Sequence, residues 1–136
     1  MTRQAIQTNG APAALGPYSQ AIRSGDTVYC SGQIGLDPTS GDLVEGVEAQ
    51  AERALKNLAA VLDAAGLTFD DVVKTTIFLA DVDDFAAVNA VYGRVMPEPP
   101  PARSTIGVGG LPKAARVEIE MIARRPLPDA VADRRA

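Results

Sequence analysis

The sequence predicts an α+β domain: one mixed sheet with two helices packed on a single face. Three observations carry this. Runs rich in β-branched residues recur at Thr27–Ile34, Val72–Leu79 and Ala115–Ala123. Val47–Ala65 and the stretch from Asp81 to about Met96 instead carry apolar residues at helical spacing. The order strand, strand, helix, strand, helix, strand, strand shows no repeat and no linker, and it argues for one sheet with both helices on one side. The 136 residues suffice for one core. The domain is expected over residues 1–125, with 126–136, which contain Pro126 and Pro128, as a frayed tail.

Arg3–Thr8 reads as a short edge strand that Asn9-Gly10-Ala11-Pro12 breaks, and Gly16-Pro17 turns the chain again before Tyr18. Ser19–Arg23 and Thr27–Ile34 form a hairpin around Ser24-Gly25-Asp26. Gly32 weakens the second of these strands and marks a place where another group approaches the backbone. After the loop Asp37–Asp42 comes the clearest helix, Val47–Ala65, with Val47, Ala51, Ala54, Leu55, Leu58, Val61, Leu62 and Ala65 on one stripe and Gly66 placed for a left-handed end.

Thr68–Asp71 is a polar turn into the strand Val72–Leu79. Asp81 or Asp83 caps the second helix, whose expected inner face holds Val82, Phe85, Val88, Tyr92 and Val95. Pro97–Pro101 cannot be helical and delivers the chain stiffly to Arg103. Pro101–Glu120 then reads as two short strands around a Gly-Gly-Leu-Pro-Lys bend, a ribbon that sets Arg103 opposite Glu118 and Glu120.

Alternation in the last strand puts Val117, Ile119 and Met121 toward the helices and Arg116, Glu118, Glu120 and Ile122 on the other face. The remaining strands are too apolar on both faces for that second face to be simply solvated, so a further subunit is expected to cover it, with a cleft between subunits.

Composition narrows the chemistry. The net charge is −4 and basic residues form no block, so binding of nucleic acid through its phosphates is not expected. Histidine is absent, which removes a Ser-His-Asp triad, a Cys-His pair and most zinc sites. Cys30 is the single cysteine, so the chain forms no internal disulfide; with no apolar leader or spanning run, a cytoplasmic location without membrane attachment is expected.

The candidate residues keep two readings each at this point. Arg103 either pairs with Glu118 or Glu120 across the ribbon or holds a substrate carboxylate in its planar fork. Glu118 and Glu120 are rim charges, or one of them holds or activates water. Tyr18 is a packed aromatic or closes a pocket. Ser31 and Gly32 are strand residues or let a ligand reach backbone amides. Asn89 is solvated or lines a site. Ser104 and Thr105 have no histidine to activate them, so nucleophilic catalysis is not expected. Cys30 reads as a small buried hydrophobe.

GPYSQ at 16–20, SGQI at 31–34, VKTTIFLADVDDFAAVNAVY at 73–92, PARS at 101–104 and LPKAARVEIE at 111–120 together resemble the reactive-intermediate deaminases, the Rid or YjgF-type proteins also labelled the endoribonuclease L-PSP family. The resemblance runs over about Ala5–Arg124. It implies a chorismate-mutase-like fold in a homotrimer with clefts between subunits. It also implies hydrolysis of enamine and imine acids, such as 2-aminoacrylate and 2-iminopropanoate, to 2-oxo acids and ammonia without metal or organic cofactor.

By this resemblance Arg103 binds the carboxylate, Glu118 holds the water and the backbone at Thr105 contacts it. Tyr18, Ser31, Gly32 and Asn89 line the cleft, Tyr18 coming from a neighbouring subunit. Thr105 stands where members often have cysteine and Gly107 where they often have glutamate, and the Pro97–Pro101 loop is shorter. These departures bear on substrate range more than on reaction type. The competing expectation is a non-catalytic trimer that binds small acids, senses them or acts as a chaperone-like partner. The nuclease label finds no support in the acidic charge or the missing histidine.

Overall fold

A computed structural model describes residues 2–126; most of the expected tail lies outside the described residues. Six strands and two helices follow in the order β1 (Gln4–Ile6), β2 (Ala21–Ser24), β3 (Thr27–Gln33), α1 (Val47–Ala64), β4 (Val72–Leu79), α2 (Phe85–Gly93), β5 (Ala102–Gly107) and β6 (Val117–Arg124). The strands form one mixed sheet in the order β1-β2-β3-β6-β4-β5, antiparallel except for the parallel pair β4–β5. The α+β class and the single sheet agree with the reading of the sequence.

The expected stripe on α1 is the buried one, and it meets the inward residues Val28, Cys30, Ile77, Leu79, Val117, Ile119 and Met121 in one core. At its end Leu67 N–H donates to Leu62 O and Gly66 N–H to Asp63 O, both at 2.9 Å, with Gly66 at φ 78°. This left-handed closure is the one Gly66 was expected to make. Gln50 and Asn57, also buried on α1, are satisfied by backbone: Gln50 Oε1 accepts from Arg116 N–H at 2.8 Å, and Asn57 Nδ2 donates to Leu36 O at 3.0 Å. They fix the chain leaving β3 and the chain entering β6. The thiol of Cys30 is packed in this core, and burial pushes its pKa up to about 12.

Two expectations are corrected. The second helix does not run unbroken from the aspartates to Met96. Asp81 caps a short 3₁₀ turn, Val82–Asp84, by accepting from Asp83 N–H at 2.9 Å, and α2 begins only at Phe85. Its buried residues are Val88, Val91 and Tyr92, while Val82, Phe85 and Val95 are exposed. Val88 and Tyr92 keep the inner places expected of them, Val91 joins them, and α2 ends at Gly93, before Val95.

The second correction concerns the ribbon. β5 and β6 are not neighbours, because β4 lies between them, parallel to β5 and antiparallel to β6. A parallel pair needs a crossover, and α2 with the proline-rich segment after it supplies one between β4 and β5.

Candidate active site

Strand register decides what faces what. Arg103 pairs with Thr75 and Thr105 with Ile77, so both side chains lie on the helix-covered side of the sheet, at its edge. Glu118 pairs with Phe78, and it alternates with the fully buried Val117 and Ile119, so it lies on the opposite side. The ion pair between Arg103 and Glu118 or Glu120 envisaged across a ribbon is therefore absent within the chain.

The first cluster is built around Arg103. Its Nη1 donates to Asn89 Oδ1 at 2.7 Å. The guanidinium carbon lies 5.1 Å from the centre of the Tyr92 ring and 5.6 Å from that of Phe85. Tyr92 is itself locked: its hydroxyl shares a 2.7 Å hydrogen bond with Thr75 Oγ1, both residues being buried. A cation resting between two aromatic rings, in place of a salt bridge, keeps its charge and most of its donors. The Asn89 bond is the one hydrogen bond of Arg103 among the described residues, so the rest of the fork stands free for a planar anion. Asn89 is exposed on α2, as the solvated reading has it, and is also tied to Arg103. Tyr92 is buried in the core as its spacing predicts, whereas Phe85 is exposed; no spacing signal tells that a stripe packing on aliphatics also cradles a cation. Beside Arg103, the buried Oγ1 of Thr105 has no hydrogen-bond partner.

The second cluster lies on the other face, in a cleft of roughly 610 Å³ whose lining includes Tyr18, Ser31, Gly32, Glu118, Glu120 and Lys113. Gly32 adjoins the carboxylate directly: a Cβ there would fall upon Glu118 Oε2 and lie 2.9 Å from Glu118 Cδ. The close approach expected at Gly32 is thus made by Glu118. Partial burial, and secondarily the like charge of Glu120, hold the Glu118 carboxyl above its ordinary range. Ser31 uses its hydroxyl on the backbone, donating to Ser19 O at 2.6 Å, and its N–H on Gln20 O at 2.9 Å. It thereby anchors the segment that carries Tyr18, which projects into solvent with 54% of its surface exposed.

The seven expected site residues therefore fall into two groups: Arg103, Thr105 and Asn89 on one face, and Tyr18, Ser31, Gly32 and Glu118 on the other. Among the described residues no group of His, Cys, Asp and Glu side chains is arranged to hold a metal ion. No described helix is long and apolar enough to cross a membrane.

The small α+β scaffold thus presents an arginine with free donors and a partly buried carboxyl, each a candidate for binding a small polar molecule. The chain belongs to the Endoribonuclease L-PSP family, whose profile it matches over residues 8–125. It is 53% identical over 122 residues to mouse 2-iminobutanoate/2-iminopropanoate deaminase, covering 89% of this chain and 90% of the mouse protein. Among solved structures, RidA from the Antarctic bacterium Psychrobacter is 49% identical with a TM-score of 0.88, over 90% of this chain and 99% of that one. Escherichia coli TdcF, solved with bound serine, is 40% identical with a TM-score of 0.86, over 90% and 99%. The expected membership among the Rid proteins is borne out.

Proposed function

We propose that the protein hydrolyses reactive enamine and imine acids of the 2-aminoacrylate/2-iminopropanoate type to 2-oxo acids and ammonia, in a cleft completed by two copies of the chain. One observation carries the reading. Arg103 and Glu118 are each prepared for a partner that their own chain does not offer, in a protein half identical to named deaminases of such imino acids.

Arg103, steadied by Asn89 and the two rings, clamps the substrate carboxylate through its free donors. An enamine first tautomerises to the imine, whose carbon is electrophilic. A water held by Glu118 and the backbone at residue 105 adds its oxygen to that carbon, and one water proton passes to the nitrogen. The carbinolamine formed has a hydroxyl and an amine on one carbon. Collapse of that carbon to a carbonyl breaks the C–N bond: Glu118 takes the hydroxyl proton and passes it to the departing nitrogen, so that ammonia and the 2-oxo acid are released. Imines already hydrolyse in water, so positioning with a few oriented hydrogen bonds suffices and no histidine is needed. Tyr18 closes the cleft over the substrate.

The assembly follows from the same geometry. A fork on one face and a carboxylate on the other meet only when the Arg103 edge of one copy approaches the open sheet face of the next. A head-to-tail contact of this kind forms a ring when its rotation closes, and the family resemblance supports a ring of three, the chorismate-mutase-like homotrimer. The open face supports it: Tyr29 exposes about half of its surface there, opposite the buried Val28 and Cys30, and so does Ile106 on the edge strand β5.

The test couples the full protein to a serine or threonine dehydratase, which generates the enamine, and follows 2-oxo acid release. Faster release with the protein, lost in Arg103→Ala, is expected. Saturable binding of a 2-oxo acid without any acceleration would mean a non-catalytic binding protein instead.

A further inference from the structure

Gln20, the last residue of the GPYSQ stretch, is buried and charge-free, and the mechanism above does not use it. Its side chain nonetheless makes a closed set of bonds with one segment only. Nε2 donates to Thr8 O at 3.0 Å and Pro12 O at 2.8 Å, with a longer approach of 3.4 Å to Ala11 O, and Oε1 accepts from Thr8 N–H at 2.7 Å. An amide is the one neutral side-chain group that donates twice and accepts at the same site, which is what two carbonyls and an N–H converging on it require. The far end of the same loop is tied by Ser31, through Ser19 O and Gln20 O. Between these ties the chain projects outward, with Leu15 at 85% and Tyr18 at 54% exposure, and both side chains line the cleft that contains Glu118.

We infer that Gln20 is a positioning residue for the cleft: its buried amide staples the loop of residues 9–19 so that Tyr18 is presented over the substrate. The inference rests on the placement of Tyr18 in the proposed site. An exposed loop held at both ends by buried bonds has little conformational freedom left to lose when a ligand and a neighbouring chain settle on it. Releasing the staple therefore weakens substrate binding through Tyr18 and leaves the chemistry at Glu118 largely intact.

Gln20→Met keeps the volume and removes all the bonds. In the full protein it is expected to raise KM about tenfold while kcat changes less than about threefold, the pattern of lost substrate binding. In a Tyr18→Ala background the same replacement is expected to change KM less than about twofold, because residues acting through one another are not additive. Amide hydrogen exchange is expected to speed up over residues 8–19 and to stay slow in β3.

Equal KM factors in the two backgrounds, or unchanged exchange in the loop, overturn the inference. So does a Tyr18→Ala variant with wild-type KM, since it removes Tyr18 from the site. If the wild type shows no turnover, the proposed reaction fails, and the Kd for 2-oxobutanoate replaces KM in the same cycle. If Gln20→Met does not fold, Gln20→Asn is read in the same way, since it stays neutral and its amide, one methylene shorter, cannot reach all of the same partners.

Discussion

The Glu118 carboxylate occupies the space that a side chain at residue 32 would fill. A Cβ on Gly32 would fall upon Glu118 Oε2, with Glu118 Cγ at 3.1 Å as well as the closer Cδ. Gly32 does not adopt a positive φ, so its need for glycine is one of room.

Gly32→Ala is therefore expected to move Glu118 and leave the fold. The obstructing atoms are the free end of a flexible side chain, so the loss in thermal stability should stay within about 1 kcal/mol. Deaminase kcat should fall at least about tenfold, because a catalytic group displaced by about an ångström loses that and more. Thermal denaturation beside steady-state kinetics checks this; a variant with full kcat would separate the glycine from the reaction.

Arg103→Lys keeps the charge but loses the planar fork that Asn89 and the two rings orient. With roughly 1.5–3 kcal/mol for each charge-assisted bond, losing one of two to the substrate should lower kcat/KM about 10–150-fold, and Arg103→Ala should lower it further. Kinetics over a range of substrate concentrations reads the effect, expected mainly in KM for the lysine variant.

If Arg103 and Glu118 of one cleft come from different chains, two dead proteins rescue each other. Mixing Arg103→Ala with Glu118→Gln under conditions that allow subunit exchange restores clefts in which both residues are native. Random assembly makes these about one quarter of all clefts, so about one quarter of wild-type activity is expected. Activity that stays at the level of the separate variants would mean that the two residues do not share a cleft between chains.

Glu118 carries a pH signature with a definite sign. Its folded pKa is raised above the unfolded value of about 4.3, so its contribution favours the folded state below that value and is lost as pH rises through the folded pKa. Glu118→Gln should thus gain more thermal stability relative to wild type at pH 7 than at pH 4, while losing activity. Glu120 raises the same pKa by like charge, so Glu120→Gln should shift the acid limb of kcat/KM to lower pH. An unmoved limb would remove Glu118 from the step that limits the acid side.

The class of fold was legible because it is written in local patterns. The α1 stripe, the Gly66 closure, the β-branched runs and the inward alternation of β6 depend on neighbours a few residues apart. So was the inventory of the site, because a chain without histidine leaves few groups able to clamp an acid or hold a water.

What the sequence by itself could not determine is which strands are neighbours. Pro101–Glu120 looks like a ribbon since its two strands are close along the chain, yet α2 carries β5 to the outer edge of β4 and β6 takes the inner one. Pairing is settled by non-local burial of both edges of β4, which no window of residues contains. That one choice sends Arg103 and Glu118 to opposite faces of the sheet. It also makes the exposed Phe85 and the buried Tyr92 the bed of a cation, because the edge position of Arg103 brings its guanidinium beside α2. The sequence determined which side chains the site can use; the tertiary structure decided that one chain holds them apart, since β4 stands between their strands and its register with each fixes the face each side chain takes.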